Sequence, residues 1–339
     1  MPLGLTARRF KSRALADRMA WTGMLCMGLF SSLFVLTLLR DAVLLADWLL
    51  LAAAPGAFST QALTSSSAVA VTLLALFMSG LGFFNARRTA TVVQVDVPIS
   101  GLPAALHGFS IAQVSDIHVG PTIKHGYLQA IVHKVNSLQV DMVAVTGDLV
   151  DGSVAELAPH VAPLVGLASR HGTYFVTGNH EYYSGAHAWI EELQRLGIRV
   201  LMNEHVLLQH GEATPGDAVL LAGVADYTAA QFDASHRSDP HAAMAGAPQD
   251  IGVKLLLAHQ PRSAAEAARA GFDLQLSGHT HGGQFWPWNL FVRFQQPFTA
   301  GLHRLESLWI YTSRGTGYWG PPKRFGAPSE ITYLRLVAA

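Results

Sequence analysis

The sequence predicts an α/β domain behind an N-terminal membrane anchor of two helices. Three observations predict this. From about residue 105 onward, short apolar runs rich in β-formers alternate with helical patterns. Five of those runs are each followed directly by residues that ligate metals. Residues 1–90 hold two long apolar stretches free of charge. The chain therefore divides into a membrane anchor at 1–90, a linker and first strand at 91–104, and an α/β domain at 105–339.

In the anchor, Trp21 to Leu39 carries no charge. At about 1.5 Å per residue it spans roughly 30 Å, the thickness of a bilayer core. A second span runs over about 66–86. Between them, 42–54 is apolar but short, holds Asp47 and is closed by Pro55-Gly56, which suits an interfacial segment better than a span. Arg8, Arg9, Lys11, Arg13 and Arg18 precede the first span and Arg87 and Arg88 follow the last, while the connection offers only Arg40 against Asp41 and Asp47. The positive-inside rule then places both ends, and the α/β domain, in the cytoplasm. A third span would reverse this. The rival reading takes Arg8-Arg9-Phe10-Lys11 as an export signal and puts the domain on the exported face, but the match is incomplete and such a signal carries one modest apolar region before its cleavage site, not a hairpin.

Strands are expected at Phe109–Val114, Met142–Thr146, Tyr174–Thr177, Lys254–Leu257 and Leu274–Leu276. They lead into Asp116-Ile-His118, Gly147-Asp148-Leu-Val-Asp151, Gly178-Asn179-His180-Glu181, Ala258-His259 and Gly278-His279-Thr-His281. Loops past the carboxyl ends of parallel strands converge on one crevice, so the spacing predicts a single site. Its donors are oxygen and imidazole nitrogen. Cys26, the only cysteine, lies far upstream, which suits Mn, Fe or Zn and excludes a thiolate zinc site. Two ions roughly 3.5–4 Å apart need a shared anion, and Asp148 is the choice for that bridge. Gly147, Gly178 and Gly278 let the backbone turn and pass close to the ligands. Between the blocks, Thr122 is expected to cap a helix with Ile123, Tyr127, Ile131 and Leu138 on one face, and Ala186–Leu196 to form another that stops at Gly197. Tyr227 to Asp250 reads as a mobile loop.

The five ordered blocks match the pattern DxH, GDxxD, GNH(E/D), lone His, GHxH, and over residues 105–336 the chain resembles the calcineurin-like metallophosphoesterases. The resemblance implies a metallophosphoesterase β-sandwich flanked by helices, with late strands near Leu308–Thr312 and Ile331–Leu336. It implies that Asp116, His118 and His281 hold one metal, that Asn179, His259 and His279 hold the other, and that Asp148 bridges them. His180 matches the histidine that stabilises the transition state or protonates the leaving oxygen, with Asp151 orienting it. Attack by a metal-bridged hydroxide on a phosphodiester or pyrophosphate is the implied reaction, and manganese is the preferred metal. Gly278–Gln284 and Gly315–Pro322 are similar to a membrane-associated bacterial branch. Some of its members hydrolyse UDP-2,3-diacylglucosamine at the inner membrane.

Other readings compete with this one. The chain has 16 histidines, and those outside the blocks, His187 and His236 among them, read as ordinary surface or core groups. A non-catalytic, metal-stabilised interaction module at the membrane is the alternative function, and the presence of both His180 and Asp151 counts against it. A net charge of zero lacks the basic footprint of nucleic-acid binding, and nothing points to a protein partner. Phe285, Trp286, Trp288, Phe291 and Phe294, with Arg293, follow the last block. They form either core packing or an apolar platform at the bilayer surface, where a lipid or other phosphorylated substrate would enter.

Overall fold

The computed structural model describes residues 12–53, 60–211, 215–248 and 250–339, so Arg8, Arg9, Lys11 and Pro55-Gly56 lie outside the described residues. The chain divides into two compact units.

The first unit holds helices α1 (Arg13–Ala53) and α2 (Thr60–Arg87), together with Gly320–Gly326. Both helices are long and apolar enough to cross a membrane. They run antiparallel as a hairpin: Trp21 meets Phe83 edge-on at 6.3 Å, and Arg40 donates to Ser67 Oγ at 3.0 Å and to the Thr64 carbonyl at 3.1 Å. The stretch 42–53, expected as a separate interfacial segment, continues α1. It contains no glycine or proline to break the helix. Gly320–Gly326, expected in the α/β domain, groups instead with the hairpin. Arg324 N donates to Gly82 O at 2.8 Å, Asn85 Nδ2 donates to Arg324 O at 3.2 Å, and Lys323 Nζ donates to Gly28 O at 3.0 Å. A Cβ at Gly82 would collide with the stem of Lys323, so this docking needs the glycine.

The second unit is a sandwich of two six-stranded sheets flanked by helices. The first sheet has the order β1 (Thr91–Ile99), β12 (Glu330–Ala338), β2 (Ser110–Val114), β3 (Met142–Val145), β4 (Thr173–Phe175) and β5 (Arg199–Val200). The second has β10 (Gly301–Leu305), β11 (Leu308–Thr312), β9 (Leu274–Ser277), β8 (Val253–Leu257), β7 (Ala218–Gly223) and β6 (Glu204–Gln209). Alternate residues of both sheets meet in one core, with Ile111, Met142, Ala144 and Leu334 from the first and Leu221, Leu255, Leu257 and Leu276 from the second. Full burial of such aliphatic side chains stabilises by roughly 1.5–3 kcal/mol each. β2, β3 and β4 are mutually parallel, as are β7, β8 and β9, so the carboxyl ends within each set share one edge.

Two local expectations need correction. Helix α3 (His125–Asn136) is preceded by Lys124 at the cap position without a side-chain cap, and it buries Leu128, Ile131, Val132 and Val135. Thr122 instead presents its carbonyl to Tyr318 OH at 3.3 Å. Helix α4 (Val154–Val161) starts in a Ser153/Glu156 capping box. Helices α5 (Asn179–Ser184) and α6 (Ala186–Arg195) follow, and α6 buries Trp189 and Leu193 before Gly197 turns the chain at φ 82°. The segment 227–250 is not a featureless loop. It holds 3-10 turns at Ala229–Gln231 and Ala234–His236, and α7 (Pro240–Met244), with the Asp233 and Asp239 carboxylates accepting backbone N–H groups at the starts of the latter two. Helix α8 (Ala264–Arg269) buries Ala264 and Ala267 against the outer side of the second sheet, beside Leu256 and Ile310.

Candidate metal centre

Each strand ends just before a block. Asp116 and His118 follow β2, Asp148 follows β3, Asn179 opens α5 after β4, His259 follows β8, and His279 and His281 follow β9. The structure gathers Asp116, His118 and His281 in one set and Asp148, His259 and His279 in another. In the first, His118 Nε2 stands 3.0 Å from His281 Nε2, and His281 Nε2 lies 3.5 Å from Asp116 Oδ1. In the second, His259 Nε2 lies 3.2 Å from both Asp148 Oδ2 and His279 Nδ1. Asp148 Oδ2 is also 3.9 Å from His118 Nε2, so this carboxylate faces both sets.

The backbone is strained into this arrangement. Asp116, His118, Asp148, His279 and His281 all hold left-handed φ, between 51° and 70°. Such conformations cost of order 1–3 kcal/mol each and persist only where their surroundings over-determine them. Glu181, fully buried, supplies part of that determination: its carboxylate accepts from Gly178 N at 2.6 Å, Leu149 N at 2.8 Å and Asp148 N at 2.9 Å. Asp116 Oδ1 accepts from His279 N at 2.9 Å. A Cβ on Gly178 would strike Asp148 Oδ1, and one on Gly278 would strike Ser115 Oγ and Asp116 Oδ2, so the close approach of these loops requires glycine at both positions.

Several features fit these residues to divalent cations. His259 Nδ1 lies 2.7 Å from the Thr146 carbonyl, which fixes Nδ1–H and turns the Nε2 lone pair inward. His118 Nδ1, 3.1 Å from Asp151 Oδ1, is held the same way. His118 Nε2 and His281 Nε2 approach to 3.0 Å, close enough for both to reach one cation. Asn179 Oδ1 is buried without a hydrogen-bond partner, a cost of about 1–3 kcal/mol that ligation would remove. Charge balance points the same way. Burial pushes His259 down, but the Asp148 charge and hydrogen bond and the Asp116 charge carry it well above the usual imidazole range. Asp148 is opposed by burial yet held well below the carboxylate range by His259. His279 is pushed down to about 3 by burial and by the His259 charge. Protons on buried imidazoles here neutralise carboxylates, which is the part a metal ion takes.

His180 and Asp151 form a distinct pair beside these sets. His180 Nδ1 lies 2.6 Å from Asp151 Oδ1, and its Nε2 lies 4.0 Å from Asp148 Oδ2. Burial lowers the His180 pKa, but the Asp151 hydrogen bond and the Asp148 charge outweigh it and hold the group at about 9. Tyr183 and Trp319, both more than half exposed, meet the His180 ring edge-on at 5.2 and 5.7 Å and line its open side. Trp319 is held there by Gln284, whose amide donates to Trp319 O at 2.9 Å and accepts from Trp319 N at 2.8 Å.

Sequence reasoning quoted Glu181, Gln284 and Trp319 inside motifs without giving them a role, and it passed over Tyr183. Glu181 also left a local signal, standing at the third helical position after Gly178 as in a capping box. Among the aromatics after the last block, Phe285 is buried, while Trp288, Phe291 and Phe294 are 43%, 52% and 74% exposed. Those three are not core. His187 and His236, read as ordinary, approach Asp233 away from this centre.

The chain's residues 109–283 match the family model for calcineurin-like phosphoesterases. A transmembrane protein with a metallophosphoesterase domain from Bos taurus is 39% identical over 94% of this chain and 72% of its own length. The protein of the same description from Danio rerio is 38% identical over 83% of this chain, which spans 66% of that relative. An uncharacterized metallophosphoesterase from Helicobacter pylori is 37% identical, covering 76% of this chain and 66% of its own.

Proposed function

The chain belongs to the calcineurin-like phosphoesterase family, and from that premise we propose that it is a membrane-anchored phosphohydrolase with a dinuclear metal centre, acting on a phosphodiester or pyrophosphate of a lipid-linked substrate. The observation that carries this reading is the pairing of two histidine–carboxylate sets across Asp148, with the His180–Asp151 pair set beside them and left free for chemistry.

In this reading Asp116, His118 and His281 hold one divalent ion, Asn179, His259 and His279 the other, and Asp148 is shared. Manganese is the preferred metal. When bound, the ions supply Lewis acidity and an activated water for in-line displacement at phosphorus. The rest is the work of the chain. Asp151 takes the His180 Nδ1–H, which fixes the ring and leaves Nε2–H pointing toward the substrate oxygens. From there it donates to the developing charge or hands its proton to the leaving oxygen. Tyr183 and Trp319 exclude water from the open side of that ring.

The lipid part of the proposal draws on the hairpin and on the exposed Trp288, Leu290, Phe291 and Phe294, an apolar group of the kind that sits at headgroup level. The distribution of Arg87, Arg88 and the basic N-terminus supports a cytoplasmic-face domain at a bacterial inner membrane. UDP-2,3-diacylglucosamine, a substrate of some members of the bacterial branch that the Gly278–Gln284 and Gly315–Pro322 motifs resemble, is the first to test.

Full-length protein in detergent with Mn is expected to release UMP from it, and Asp148→Asn is expected to release none. If only a generic aryl phosphodiester is cleaved, the reaction stands and the lipid assignment falls. Failure of the Mn-loaded protein to cleave either, with His180→Ala indistinguishable from the parent, would leave the non-catalytic module.

A further inference from the structure

A second histidine–carboxylate cluster lies outside the centre just described. His187, near the start of α6, and Asp233 and His236, from the turn at 234–236, each bring one ligand atom within 4.8 Å of the others. His187 Nε2 is 2.9 Å from Asp233 Oδ2, and the two imidazole rings are 4.7 Å apart between centroids. We propose that His187, Asp233 and His236 form a separate site for a single divalent cation of the zinc class.

An ordinary surface ion pair explains His187 with Asp233 but not His236. Exposed pairs contribute about 0–1 kcal/mol and need no third member, and two protonated imidazoles this close would repel. A cation turns the same geometry from a conflict into a ligand set. Tetrahedral sites with metal–nitrogen bonds of about 2.0–2.1 Å separate neighbouring ligand atoms by about 3.3 Å. His187 and Asp233 are already near that spacing, and the His187 side chain, 70% exposed, is free to rotate the remainder.

The surroundings orient the other two donors as metal sites require. Asp233 Oδ1 accepts from Ser235 N at 2.9 Å and Ser235 Oγ at 2.6 Å, which fixes the carboxylate and directs Oδ2 at His187. His236 Nδ1 lies 3.0 Å from Tyr182 OH, which commits that nitrogen and leaves Nε2 for a ligand. Two imidazoles and one carboxylate suit zinc, cobalt or nickel rather than calcium or magnesium, with water in the fourth position. The cation would tie the 233–236 turn to α6. Through Tyr182 and Phe232, whose rings pack at 5.7 Å, it would brace α5, the helix that carries Asn179 and His180.

The test counts ions on full-length protein in detergent, stripped with chelator and titrated with Zn or Co, with metal content read by mass spectrometry. His187→Ala, at an exposed side chain, and Asp233→Asn, which keeps the cap acceptor, are each expected to bind one equivalent fewer than the parent. Their Co spectra are expected to lack the visible bands of one tetrahedral nitrogen–oxygen site. The same difference of one equivalent is expected when both proteins also carry Asp148→Asn, which separates this site from the strand-end centre however many ions that centre takes. Identical stoichiometry, isotherms and Co spectra in parent, His187→Ala and Asp233→Asn would overturn the proposal.

Discussion

The two histidine–carboxylate clusters are built in opposite ways. At the strand ends, five ligand candidates hold left-handed backbone, the carboxylates and most imidazoles are buried, and Glu181 ties three amides of the surrounding loops. In the other, none of His187, Asp233 and His236 has positive φ, and His187 is largely exposed. The sheets and the buried Glu181 carboxylate support the first geometry from all sides, and the fold carries its backbone strain as preorganisation. The second is assembled from a helix and a turn on the surface, so an ion would have to complete it. A rigid site resists change at every support, while a surface site tolerates change until its ligand is counted.

The largest expected effect separates chemistry from support. His180→Ala should lower kcat by about 10²–10⁴-fold with metal content unchanged, since a positioned acid contributes about that much. Retained turnover would remove His180 from the reaction and leave the strand-end centre no more active than the surface cluster. Metal removal comes next. Each ion bound with free ion at 100 times its dissociation constant should add about 2.7 kcal/mol over the chelated form, read as a rise in Tm. The strand-end share of that gain should survive His187→Ala and be lost with Asp148→Asn.

Gly178→Ala probes rigidity directly. The added Cβ meets Asp148 N at 2.6 Å and Asp148 Cγ at 2.9 Å, so overpacking should cost about 1–3 kcal/mol in denaturant unfolding and also weaken metal binding. A neutral result would show that the loops adapt and would erase the contrast. The smallest effect belongs to the surface cluster. In chelated protein, His187→Ala should change stability by no more than about 0.5 kcal/mol, and a larger loss would mean that the cluster supports the fold without an ion.

The same contrast governs what was legible. The strand-end residues announce themselves because each lies next to an apolar β-forming run, and because a glycine must precede a ligand wherever backbones crowd, as at Gly178 and Gly278. Local pattern and site coincide there. Thr122 shows the limit of that logic, since the helix starts at His125 and the Thr122 carbonyl is met instead by Tyr318, far away in sequence. The 42–53 stretch differs from expectation for the converse reason: its shortness, Asp47 and the following Pro55-Gly56 suggest a separate segment, yet nothing within it interrupts the helix.

By itself, then, the sequence determined the α/β class, the apolar hairpin, the order of the ligand blocks and the chemistry of their donors, because these follow from short-range periodicity and residue type. Tertiary structure alone decided that Asp151 serves both His118 and His180, that Trp319 flanks His180, that Gly320–Gly326 packs with the hairpin helices, and that His187 and His236 share Asp233. Those partners are brought together by sheet order and side-chain packing between segments distant along the chain, and no local pattern encodes which distant segment will arrive.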